Sequence, residues 1–86
     1  MITPEFVREG HGEFVFVANH NLETEENVAR SIDYNRARIL NARRQLPATL
    51  SRCRLIYDVR GQALWIGALE RIKLAFADAC TIEVKH

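Results

Sequence analysis

The side chains of this 86-residue chain that could do chemistry are three histidines, two cysteines and an excess of arginine, ten against two lysines. His11, His20 and His86 are too widely spaced for an H-x-x-x-H pair, and Cys53 and Cys80 make no C-x-x-C. Without the spacing that sets ligands together on one helix face or one turn, no metal site is expected. No cofactor is expected either. Gly10-His11-Gly12 and the single Gly61 build neither a G-x-G-x-x-G turn nor a Walker loop. Ser31 and Ser51 lack a nucleophile elbow. Cys53 falls on the apolar face of an alternating run, where a thiol acts as a small hydrophobe with a raised pKa. Cys80 falls at a predicted helix C-terminus, where the dipole disfavours a thiolate. Both read as structural.

The net charge of +1 conceals an asymmetry: −5 over residues 1–29, +6 over 30–60, and balance over 61–86. Arg43 and Arg44 close a predicted helix, and Arg52, Arg54 and Arg60 project from one face of the strand that follows. Such a cluster could track a nucleic-acid backbone, with Tyr34 or Tyr57 stacking on a base. Against this, the sequence pI is only about 7.9, and the acidic first third can neutralise the basic middle within the fold or across a dimer. Arg54 and Asp58 share one strand face and are expected to meet a cross-strand partner. Salt bridging and solvation are the first expectation for these arginines, nucleic-acid contact the second.

These residues must be positioned by elements that the periodicity predicts. Glu5–Glu9 and Glu13–Ala18 are β-prone runs around a Gly-bounded loop and read as a hairpin. Asn19-His20-Asn21 is loop chemistry. Thr24 is a natural N-cap for a helix running to about Gln45, with Val28, Ile32, Ile39 and Leu46 in one stripe, Asn35 in the gap and Ala42 as filler. Pro47 stops it. Arg52–Arg60 alternates as a strand, with Cys53, Leu55, Tyr57 and Val59 on one face. Gly61 breaks that strand, and a second helix is predicted from there to about Ala79. Its main stripe is Trp65, Leu69, Ile72 and Phe76, while Ile66 and Leu74 lie off it. Thr81–Lys85 alternates as a last strand.

The order ββαβαβ predicts a single two-layer α+β domain over 1–86: a small mixed sheet of about four strands with two helices on one face. A domain this short buries only roughly 60–65% of the surface its unfolded chain exposes, so its stability is marginal. The apolar surplus of the second helix and the uncovered sheet face then suggest a homodimer or another protein partner, with Trp65, Ile66, Leu74 and Phe76 as interface candidates. Glu5, Arg8 and Glu9 interrupt the start where a secretory leader would be apolar. The longest apolar run, Ala63–Leu69, falls far short of the about 18 residues a membrane span needs. With two unpaired cysteines, a cytoplasmic protein with no membrane association is the expectation. A small binding or interaction module is the leading functional reading, with no catalytic centre legible.

Asp58-Val59-Arg60-Gly61-Gln62, closing a strand and followed by a predicted helix and strand, resembles the C-terminal ends of some bacterial polymorphic or contact-dependent toxin domains. The likeness covers roughly residues 52–85. It implies action on RNA or DNA, because many such domains are small nucleases. A metal-independent nuclease needs a general base and a cation beside the developing phosphorane charge. His11 or His20, with Arg54 and Arg60, are the candidates if folding gathers them.

Overall fold

The computed structural model describes residues 4–86. Among the described residues the chain forms a four-stranded sheet with two α-helices against it. The elements are β1 (Phe6–Arg8), β2 (Glu13–Ala18), α1 (Glu25–Gln45), β3 (Arg52–Asp58), α2 (Ala68–Ala75) and β4 (Thr81–Lys85), with a 3-10 turn at Glu9–His11. Strand order follows the chain, β1-β2-β3-β4. β1 and β2 are an antiparallel hairpin; β2–β3 and β3–β4 are parallel. The α+β mixed sheet expected from the sequence is therefore the fold.

The hairpin turns at Gly12, whose φ of 63° is left-handed backbone. A Cβ there would sit 2.9 Å from the Thr49 carbonyl oxygen, so both conformation and space call for glycine. α1 begins as its sequence suggests: Thr24 Oγ1 accepts from Asn27 N at 3.1 Å, Glu25 and Glu26 fill the first turn, and Arg43 and Arg44 the last.

Each parallel connection carries a helix back over the same sheet face. Phe14, Phe16 and Ala18 of β2 and Cys53, Leu55 and Tyr57 of β3 point to that face and pack with Val28, Ile32, Ile39 and Ala42 of α1 and Ala68 and Ile72 of α2. The opposite face has no helix over it. There Val15 is still buried, flanked in register by Phe6 and Arg54.

The second helix departs from expectation. It spans eight residues, not the stretch from Gly61 to Ala79. Gly67 has φ 80° and sits at the N-cap, so no single helix can run through it from Gly61 to Ala79. Residues 62–66 instead lie along the loop after β2, where Trp65 N donates to Leu22 O at 2.8 Å. β3 also ends early, at Asp58, because its carboxylate turns back to accept from the Arg60 amide. Phe76, expected at an interface, is fully buried inside the protomer, and Trp65 is half-buried; only Ile66 and Leu74 of that set stand out, 87% and 80% exposed.

Candidate functional site

Ser31, Asn35 and Arg38 are spaced by four and three residues, which sets them on one stripe of α1. That stripe faces the sheet, so three polar side chains are buried where apolar ones would be usual. They meet Tyr57 from β3 and His20 from the loop after β2. Ser31 Oγ lies 2.6 Å from His20 Nδ1 and 2.8 Å from Tyr57 Oη. Asn35 Nδ2 donates to Tyr57 Oη and to Ser31 O, both at 3.0 Å. Arg38 donates to Asn35 Oδ1 at 3.0 Å and, through its other terminal nitrogen, to Glu5 Oε1 at 2.9 Å. Its guanidinium also lies 4.4 Å from the Phe16 ring centroid, a desolvated cation–π contact.

The direction of each bond follows from chemistry. Arg38 can only donate, which fixes Asn35 Oδ1 as acceptor and turns Nδ2 toward Tyr57. Tyr57 Oη accepts that bond and spends its own hydrogen on Ser31 Oγ. Ser31 then donates to His20 Nδ1. The reverse order would leave the Tyr57 hydroxyl hydrogen buried without an acceptor. His20 is therefore the neutral tautomer with its proton on Nε2. Burial first, and the Arg38 charge second, lower its pKa and keep it neutral. Among the described residues, no buried side-chain polar atom is left without a partner.

The backbone of His20 is held separately. Gln62 Nε2 donates to His20 O at 2.9 Å and Gln62 Oε1 accepts from Leu22 N at 2.7 Å, so one amide clamps both ends of the loop. Gly61, at φ 79°, makes the turn that delivers Gln62. His20 follows β2 and Gln62 follows β3, so the site lies at the carboxyl ends of parallel strands, where open sheets with helical crossovers commonly bind ligands. His20, Asn21, Asn27, Arg30, Ser31 and Tyr34 line an open hollow of about 330 Å³. Tyr34 is 55% exposed, its ring edge-on to His20 at 5.3 Å. Among the described residues Arg30 pairs only with Glu26, at 3.6 Å, both side chains well exposed. Such a pair is weak and readily exchanged for a ligand.

The other candidates from the sequence do not gather here. His11 precedes β2 and His20 follows it, so the strand's full length separates them. Arg54 lies at mid-sheet on the helix-free face, paired with Glu13 of β2 at 3.4 Å and Glu83 of β4 at 3.3 Å. Arg60 forms a two-pronged pair with Asp58 at 2.8 and 2.6 Å, which holds the Asp58 carboxyl down at about 2. Arg52 donates to His11 O. Arg43 bridges Ser51 O and Ala79 O at 2.7 and 2.6 Å. Arg44 is exposed. Four of the five arginines thus hold the protein's own carboxylates and carbonyls.

That Ser31, Asn35, Arg38 and Gln62 belong to one site was not read from the sequence. The available signal was three polar residues at helical spacing within an otherwise apolar stripe. Among the described residues, no cluster of three or more His, Cys, Asp or Glu side chains could hold a metal ion, and no helix is long and apolar enough to cross a membrane. The chain matches no protein-family model, no curated protein and no solved structure. The likeness of residues 52–85 to toxin ends rests on its five residues and the order of elements that follows them. Within this fold Asp58, Arg60, Gly61 and Gln62 close β3 and clamp the His20 loop.

Proposed function

We propose that the chain is a small binding module whose ligand site is the hollow over His20, and that it recognises a nucleotide unit, free or within single-stranded RNA. The observation that carries this is the one-way donor chain from Arg38 to His20. It presents an uncharged Nε2–H, immobilised by buried partners, beside an exposed aromatic ring and an exposed guanidinium. A base can stack on Tyr34, a phosphate can pair with Arg30, and His20 Nε2–H can donate to an oxygen or ring nitrogen. Asn21 adds an amide donor, since its Oδ1 is already taken by Glu23 N and Asn27 Nδ2.

Binding without turnover fits this arrangement better than cleavage. To act as a base, His20 would have to accept a proton at Nδ1, where Ser31 already donates. Ser31, 3% exposed and bonded on several sides, is not free to attack. The two free cysteines support a reducing, cytoplasmic setting.

The test is titration with adenosine monophosphate and with a short single-stranded RNA, followed by the ring resonances of His20 and Tyr34. Both probes should shift them; a response to RNA alone would assign the ligand to the polymer. Tyr34→Ala should weaken binding by about 1–3 kcal/mol. For RNA, Arg30→Gln should reduce the slope of log affinity against log salt by about 0.7, one phosphate contact, whereas Arg54→Gln should leave it unchanged. Unmoved resonances with both probes at millimolar concentration would refute the reading, and fragmentation of the RNA would replace it with the nuclease one.

A second reading, homodimerisation, is favoured by the exposure of Ile66 and Leu74 beside half-buried Trp65. Sedimentation that shows a monomer, unchanged by Leu74→Ser, would remove it.

A further inference from the structure

We propose that Cys53 and Cys80 form a redox-active dithiol, which a low-molecular-weight disulfide converts to an intramolecular bond across β3 and the start of β4. This site is distinct from the hollow over His20, and the inference does not depend on what binds there.

The geometry comes from the sheet register. Arg54 pairs with Thr81, Leu55 with Ile82 and Tyr57 with Val84. One step back, Cys53 stands opposite Cys80, and the two-residue alternation puts both on the helix-covered face. Neighbouring strands run about 4.8 Å apart, inside the Cα separation of about 4.4–6.8 Å that a disulfide spans. Cys80 lies just ahead of β4 rather than within it, so its backbone can adjust to the bond without breaking the ladder. Both cysteines are free, Cys53 buried and Cys80 partly exposed. They share a cleft of about 420 Å³ with Arg43, Asp78 and Thr81, through which a small disulfide can approach.

The two sulfurs have different roles. Cys53, pressed against Cys80 and then by burial, is held far up as a thiol. Cys80 is lowered, first by Cys53 and then by the Arg43 guanidinium, against the opposing effect of burial. Cys80, the partly exposed thiol in the cleft beside Arg43, is the one a small disulfide can reach, and it is the attacking thiolate. It displaces one thiolate from the small disulfide and forms a mixed disulfide. Cys53 then gives up its proton to the departed thiolate and attacks the Cys80 sulfur, releasing the second thiolate, which takes up the proton lost from Cys80. Two protein thiols are oxidised and one small disulfide is reduced to two thiols. The new bond closes a loop containing all of α2.

The experiment equilibrates the protein with glutathione and its disulfide at graded ratios, then quenches with an alkylating reagent and measures intact mass. Alkylated thiols should fall from two to none as the ratio becomes oxidising, with a mass loss of two hydrogens and monomer mobility on a non-reducing gel. Cys53→Ala should stop at the mixed disulfide on Cys80, and Cys80→Ser should abolish fast reaction. Because Cys53 is in the core, its variant is first checked for native circular dichroism; Cys80→Ser, at a partly exposed position, carries the test if Cys53→Ala unfolds. Retention of both thiols in fully oxidising buffer, cross-linking between chains instead of within one, or unchanged reaction rate in Cys80→Ser would overturn the proposal.

Discussion

At the scale of single residues, the physics of this protein concentrates in one buried polar chain. Its cost and its purpose are both visible at His20. Burial, and then the nearby Arg38 charge, disfavour the imidazolium, so the pKa of His20 in the folded state falls below the ordinary value of 6.5. In the unfolded chain nothing holds it down. Between the two values the unfolded state binds the extra proton, so stability is fully present above about pH 6.5 and declines as pH falls through the lowered pKa. Urea midpoints measured across that window should fall on acidification in the parent protein. They should stay level in His20→Asn, whose side-chain oxygen can replace Nδ1 as acceptor. Tyr57→Phe probes the middle of the same chain. It strips Ser31 of a donor and Asn35 of an acceptor in a buried setting, and should cost about 1–3 kcal/mol by calorimetry. It should also loosen the His20 ring, detected as loss of the Nε2–H tautomer signature.

Secondary elements are held by a few positions where backbone geometry leaves one choice. α1 could be outlined from caps, charges and stripe because its signals are local and agree with one another. α2 could not. Trp65 and Leu64 fit a helical stripe, yet the segment before Gly67 is not helical, and Gln62 and Trp65 bond the loop after β2. The hairpin turn offers a clean test. Gly12→Ala forces a side chain into left-handed backbone and into the Thr49 carbonyl, and should destabilise by more than about 1 kcal/mol in chemical denaturation. Gly10→Ala, two residues earlier with open space around it, should be near neutral.

For the molecule as a whole, two layers give one covered face and one open face. The covered face holds most of the core, and Phe76 is its fully buried anchor at the end of α2. Phe76→Ala should lose about 3–5 kcal/mol, a large part of the stability of a domain this size, and thermal melts should show it. Leu74→Ser, two residues away on the exposed side, should change protomer stability by no more than about 0.5 kcal/mol. The open face is managed by charge. Arg8, Glu13, Arg54 and Glu83 form a continuous row of pairs across all four strands, which blunts it against non-specific pairing. From the basic middle segment Arg54 is used in this way, inside the fold.

Element order, the two-layer class, the caps of α1 and the alternation of β3 and β4 were legible in the chain, because each depends on neighbours a few residues apart. The site was not. Ser31, Asn35 and Arg38 could be seen as polar residues on an apolar stripe, but Tyr57, His20 and Glu5 reach them only once β2 and β3 and the segment before β1 are assembled under α1. Nor could spacing reveal that Cys53 and Cys80 face each other, which is a property of strand register. Local periodicity carries secondary structure; the direction of a hydrogen bond and the meeting of two thiols depend on contacts distant in sequence, which exist only in the folded state.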